Sequence, residues 1–228
     1  MIAVVTGASR GLGLALATLL NKEGYDHLIL PSRSPADPLE EWWVPLDLGN
    51  PLALDTFVHQ HQRLTVDLLV NNASYCQPLL PVERLPRTLL TLTLQINFIA
   101  PVRLMKWTLP KMKAQGKGII VNICSYCGRR GRQDLSAYCA SKFALRGFTE
   151  CVAKELEGTG VRCFSVSPGG INTKMRSDLF GEEDASRQQT PEFVAQKIVD
   201  AVTGRLHVPN GADLVIRQGE VRVVTPQG

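Results

Sequence analysis

At 228 residues the chain has the length of one α/β domain, expected to span 1–228. A composition of 44% hydrophobic and 20% charged residues excludes a disordered chain, and no uninterrupted apolar run approaches the ~20 residues of a membrane span. The net charge of +4, with basic and acidic residues interspersed, demands neither nucleic acid nor an anionic membrane as partner.

The first apolar run, Ile2 to Val5, suits a strand covered on both faces of a parallel sheet. Three glycines follow at once, Gly7, Gly11 and Gly13, and then Leu12, Leu16, Leu19 and Leu20 fall in the rhythm of an amphipathic helix. Strand, glycine turn and helix bring bare amides and the positive end of a helix together, which suits a phosphate. Further strand-like runs are expected at 27–31, 43–46, 67–71, 118–123, 161–167 and 212–216, separated mostly by helical periodicity. The alternation predicts a doubly wound, Rossmann-type parallel sheet of order 3-2-1-4-5-6 with a seventh strand added. The stretch SRSPADPLEEWW after the second strand is too short and too rich in proline for a crossover helix. Lys174 to Thr190 is polar and weakly periodic, as expected of a mobile lid, and a new helix starts at Thr190 with Pro191 in its first turn.

The chain starts directly in a strand without the pattern of a signal peptide, which leads us to expect a cytoplasmic protein. Its six cysteines are then expected to be reduced and mostly buried. Cys124 and Cys127 form a C-x-x-C, but no second ligand pair and no helix start accompanies them; His59 and His61 are two apart, off a common helix face. No metal site is expected.

Ligands of such sheets sit beyond the carboxyl ends of the strands, so the residues just after each strand carry the functional information. In order they read TGASRGLG at 6–13, PSR at 31–33, LDL at 46–48, NNAS at 71–74, Asn97, NICS at 122–125, YCASK at 138–142 and PGGINT at 168–173. With T-G-x-x-x-G-x-G, N-N-A, a serine thirteen residues before Y-x-x-x-K, and P-G-x-x-x-T in this order, the chain resembles the single-domain short-chain dehydrogenase/reductase family over nearly its whole length. The resemblance implies a nicotinamide cofactor and a catalytic tetrad of Asn97, Ser125, Tyr138 and Lys142. It places the cofactor against Gly7, Ser9, Arg10, Gly11, Leu12 and Gly13, with Asp47 and Leu48 at the adenine and Asn72 and Ala73 at its ribose. Pro168, Gly169, Ile171 and Thr173 would border the nicotinamide, with Lys142 and Tyr138 beside its ribose. Ser74 departs from the family, which usually has glycine there.

The chemistry can be argued from the residues as well. Tyr138 and Lys142 are four apart on a predicted helix and project from one face. A lysine ammonium ~4 Å from the phenol, at an effective dielectric of ~20, is worth about 4 kcal/mol, roughly three pKa units. Tyr138 is therefore expected to titrate near neutral pH, protonating a carbonyl oxygen in one direction and taking an alcohol proton in the other. Ser125 would hold that oxygen.

An acidic residue at the end of the second strand would favour NAD by binding the ribose hydroxyls. Here Pro31, Ser32 and Arg33 stand instead, and Arg33 with Arg10 offers two guanidiniums to a 2′-phosphate, so NADP(H) is expected. The activity these residues point to is reduction of a ketone, aldehyde or 3-oxoacyl compound by hydride transfer, and the resemblance implies a homodimer or homotetramer built through helices starting near Asn97 and Ser136. A non-catalytic NADP(H)-binding sensor of the same fold is the alternative, and thiol redox at Cys124 and Cys127 a third. Arg129, Arg130 and Arg132, between Ser125 and Tyr138, would flank the substrate mouth and could meet an anionic substrate.

Overall fold

Side chains on successive strand residues point to opposite faces, and here both faces are apolar. In a computed structural model, which describes residues 1–226, the run at the N-terminus forms β1 (Ile2–Val5), with Ala3 and Val5 in one core cluster and Val4 in the other. The same division holds in β4 (Leu68–Asn71), where Leu68 and Val70 oppose Leu69, and in β6 (Val161–Pro168), where Phe164 and Val166 oppose Cys163. One cluster is closed by α1 (Gly11–Lys22) and α8 (Pro191–Thr203), through Leu12, Leu16, Leu20, Val194 and Ile198. The other is closed by α2 (Pro51–Gln60), α4 (Ala100–Gln115) and α5 (Ser136–Glu155), through Phe57, Leu104, Met105, Leu145 and Val152.

With β2 (His27–Ser32), β3 (Trp43–Pro45), β5 (Gly118–Ile123) and β7 (Asp213–Arg217), the parallel order is 3-2-1-4-5-6-7, as expected. The expected seven strands are corrected to eight. Glu220–Val224 forms β8, antiparallel to β7, with Ile216 opposite Val221. Gln218 and Gly219 join them with φ of 52° and 80°, the geometry of a two-residue type I′ hairpin. The usual Asn-Gly or Asp-Gly signal is absent there, and β8 is mostly exposed, so no continuous apolar run marks it.

Two more expectations need correction. The helix bearing Asn97 does not start near that residue; it is one helical run over 87–115, comprising α3 (Arg87–Leu94), a π-helical turn (Gln95–Ile99) and α4. By length and composition this helix is apolar enough to cross a membrane, a property hidden in the sequence because threonines, Gln95 and Asn97 interrupt the apolar run. Here it packs beneath the sheet and against α5. The polar segment 174–190 is built from two short helices, α6 (Lys174–Phe180), capped by the Thr173 hydroxyl, and α7 (Glu182–Ser186). Their weak periodicity reflects their shortness. The expected start of α8 is found: Thr190 accepts from the Phe193 amide and Pro191 opens the helix.

Candidate active site

The glycine turn is a backbone device. Gly7 has φ of 69°, and a Cβ there would come 2.8 Å from the Ala73 Cα; a Cβ on Gly13 would come 2.3 Å from the Gly7 carbonyl oxygen. Both positions therefore exclude a side chain. Arg10 precedes α1 in an extended conformation, and no side chain caps the helix, so its first amides remain available to an anion. The loop after β4 is tied to this turn: Thr6 Oγ1 accepts from the amides of Asn72 and Ala73 at 3.0 and 2.9 Å. Asn72 Nδ2 donates to the carbonyls of Thr6 and Gly7 at 2.9 and 3.3 Å, so this side chain supports the glycine turn from behind.

All the residues expected to meet the cofactor line one cleft of about 1650 Å3, beyond the carboxyl ends of the strands. That exceeds the ~300–1,000 Å3 of a typical small-molecule pocket and accommodates a dinucleotide together with a substrate. At the end of β2 the cleft wall carries Ser32, Arg33 and Ser34 with no carboxylate; Ser32 Oγ donates to the Ser34 carbonyl at 2.7 Å, and Arg33 is exposed. An uncapped helix start, a cradle that a Cβ would fill, and cations in place of an acid fit an anionic dinucleotide.

Ser125, Tyr138 and Lys142 line the same cleft. Ser125 ends the loop leaving β5, and its Oγ accepts from the Cys127 amide at 3.1 Å, capping a single 3₁₀ turn. Tyr138 and Lys142 share one face of α5, as their spacing requires. Asn97 lies behind the wall, fully buried, with every polar atom of its side chain engaged. Its Oδ1 accepts from Ser74 Oγ at 3.1 Å and from the Tyr75 amide at 2.8 Å; its Nδ2 donates to the Tyr75 carbonyl and to Ser141 Oγ. Ser141 in turn donates to the Tyr138 carbonyl at 2.7 Å. Asn97 thus joins the loop after β4 to the helix of Tyr138 and Lys142. The π turn around it has a local cause: Pro101 has no N–H to give the Asn97 carbonyl, and the Ala100 amide bonds instead to Gln95, five residues back.

The expected electrostatics of the pair are corrected. Lys142 Nζ donates to the Ile123 carbonyl at 2.8 Å and lies 5.8 Å from the Tyr138 ring centre. Burial pushes the Tyr138 phenol well above its usual range, reinforced by the Cys76 thiol, while the hydroxyls of Ser125 and Ser74 pull it down. Lys142 is 1% exposed, and burial lowers its ammonium to about 8. Burial shifts each group against its charged form, an effect that spacing along a helix does not reveal.

The structure adds residues to the expected set. Ser74, singled out only as a departure, joins Asn97 and faces Tyr138; Phe180 of α6 and Arg217 at the end of β7 also line the cleft. Of the three loop arginines only Arg132 lines the cleft, whereas Arg129 is paired with Asp213 and Arg130 is exposed outside it. Cys124 is buried with its thiol pushed up to about 12, so it stays protonated, unlike a redox-active thiol.

Residues 1–184 match the short chain dehydrogenase family. Among characterised relatives, the chain is 27% identical over 224 residues to an NADPH-dependent pterin aldehyde reductase of Arabidopsis thaliana, covering 93% of this chain and 92% of that protein. It is 32% identical over 235 residues to carbonyl reductase family member 4 of Xenopus laevis, covering 92% and 96%. Among solved structures, a 4-hydroxyisoleucine dehydrogenase mutant complexed with NADH and succinate superposes with a TM-score of 0.86 at 25% identity, covering 96% and 98%. Motif order, sheet topology and the clustering of Ser125, Tyr138 and Lys142 on one cleft agree with these matches: the chain belongs to the short-chain dehydrogenase family of oxidoreductases.

Proposed function

We propose that the protein is an NADPH-dependent reductase that converts a ketone, aldehyde or 3-oxoacyl compound to an alcohol. The observation that carries this reading is the meeting of Ser125, Tyr138 and Lys142 on one cleft wall whose far end bears Arg10 and Arg33 and no carboxylate at the close of β2. A 2′-phosphate would be held by those two guanidiniums, which match its geometry. The reductase names of two relatives, one of them NADPH-dependent, support the same choice.

A dinucleotide held along the glycine turn, Arg10 and Arg33 would supply the hydride for the carbonyl carbon. Ser125 Oγ holds the carbonyl oxygen by a hydrogen bond, and Tyr138 delivers its phenolic proton to that oxygen as negative charge develops there. Burial keeps the phenol protonated at neutral pH, so the proton is in place, and its transfer depends on positive charge beside the phenolate it leaves. Lys142, beside the Ile123 carbonyl, supplies the positive charge that stabilises the phenolate left behind and grips the nicotinamide ribose. Asn97 positions the Tyr138 helix against the loop after β4.

Exposed apolar side chains at Leu90, Ile99 and Phe143, on the helix over 87–115 and on α5, support assembly as a homodimer or homotetramer through these helices. Six free cysteines are in keeping with a reducing, cytoplasmic setting.

The test is oxidation of NADPH, with NADH in parallel, across a panel of ketones, aldehydes and 3-oxoacyl thioesters. NADPH is expected to be preferred, and Arg33→Asp to shift the NADPH-to-NADH ratio of kcat/KM by about a hundredfold, the worth of exchanging a charge-assisted pair for a repulsion. Equal rates with the two cofactors in the native protein would refute the NADPH assignment. Tyr138→Phe separates the reductase from a non-catalytic sensor: turnover disappears while NADPH still binds.

A further inference from the structure

The substrate end of the cleft holds two guanidiniums that form no direct ion pair among the described residues, Asp184 acting on one of them, Arg132, only from a distance. Arg217, the last residue of β7, is fixed by two contacts. Its stem crosses Gly169, where a Cβ would come 2.9 Å from the Arg217 Cγ, and its guanidinium carbon lies 4.5 Å from the ring centre of Tyr126, the residue after Ser125. Arg132, in the loop between Ser125 and Tyr138, lies 4.1 Å from the ring centre of Phe180 in α6. Neither forms an ion pair among the described residues.

The acids nearby are otherwise engaged. Asp213 pairs with Arg129, Asp184 with Arg176, Glu183 with Arg187, and Glu220, opposite Arg217 in the hairpin, with Arg222. Counting the side chains that line the cleft, nine are arginine or lysine and three are carboxylates, Asp47, Glu182 and Glu192. Arg10 and Arg33 lie at the adenosine end, and Lys142 is turned to the Ile123 carbonyl, so they do not account for the cations at the other end. A guanidinium stacked on an aromatic ring keeps its N–H edge free for a planar anion, and both arginines are exposed to an incoming one.

From this we infer that the carbonyl substrate carries a carboxylate, gripped by Arg217 with Arg132 beside it while its carbonyl faces Ser125 and Tyr138. This rests on the reductase reading and narrows its substrate class. It assigns specificity to residues from the end of β7 and from the β5–α5 loop, outside the Ser-Tyr-Lys cluster. The phenolic proton transfer is unchanged, because the carboxylate binds and takes no part in the bond-making step.

The experiment compares 4-carboxybenzaldehyde and 3-carboxybenzaldehyde with their methyl esters, following NADPH oxidation by the native protein, R217Q, R217E and R132Q. The native protein is expected to favour the better carboxylate over its ester by about tenfold in kcat/KM, in keeping with a charge-assisted hydrogen bond. That ratio is expected to approach one in R217Q, to fall below one in R217E and to shrink in R132Q. A native ratio near one, or a ratio that survives R217Q and R132Q alike, overturns the inference while leaving the reductase reading intact.

Benzoate binding to the NADPH-loaded protein, measured by calorimetry, decides the question if none of the aldehydes is reduced. Binding weakened at least about fivefold in R217Q sustains the anion site. No binding, or binding unaffected by the substitution, removes it.

Discussion

The two ends of the cleft are built in different ways. The adenosine end is mostly backbone: a left-handed glycine at 7, a glycine at 13 with no room for a Cβ, an uncapped helix start, and the amides of Asn72 and Ala73 held by Thr6. The substrate end is made of side chains from separate segments, with Ser125 and Arg132 on one loop, Tyr138 and Lys142 on α5, Phe180 on α6 and Arg217 on β7. A site made from one turn tolerates almost no substitution and is shared among proteins with different substrates. A site assembled from side chains can change one residue at a time, and specificity can reside there.

This contrast can be broken experimentally, beginning where the effect is largest. Gly13→Ala places a Cβ against the Gly7 carbonyl and is expected to weaken NADPH binding about a hundredfold, read by fluorescence titration, because overpacking a backbone contact has no side chain to yield. If affinity survives, the turn is more pliable than its geometry requires. At the other end, Lys142→Met is expected to lower the reduction rate by about a hundredfold, within the usual range for acid-base machinery.

The same lysine sets a pH dependence. With its ammonium lowered to about 8, the reduction rate is expected to hold below that pH and to fall as pH rises through it, when Lys142 loses its proton. Tyr138, raised by burial, keeps its proton over the same range, so the falling limb belongs to lysine and is absent from the residual activity of Lys142→Met. A limb that persists in that variant would reassign it. Smallest is Ser74→Gly, which restores the residue usual in the family and removes a hydroxyl bonded to Asn97 and facing Tyr138. It is expected to reduce kcat about threefold, the worth of one modest hydrogen bond, and a rate equal to the native one would make Ser74 a bystander.

Much of the fold was legible along the chain because strand and helix periods are local properties. The parallel strands appear at the expected apolar runs, and α8 starts at its Thr-Pro signal. The parts that escaped had weak local signals. The strand Glu220–Val224 is an exposed edge joined by Gln-Gly, the segment 174–190 holds two helices too short to show a period, and the π turn follows from a missing N–H at Pro101. In the site, motif order marked Ser125, Tyr138 and Lys142, but Arg217 lies 92 residues beyond Ser125 and carries no motif.

From sequence alone came the local facts: which segments are strands and helices, where glycine must stand, that Tyr138 and Lys142 share a helix face, and that no acid closes the second strand. Only tertiary structure decided what surrounds those groups: the Ile123 carbonyl that takes the lysine, the burial that raises the phenol, and the pairing that leaves Arg132 and Arg217 without a direct ion pair. The physical reason is that backbone conformation depends on near neighbours along the chain. Desolvation and charge pairing depend on neighbours in space, which the sheet brings together from distant positions.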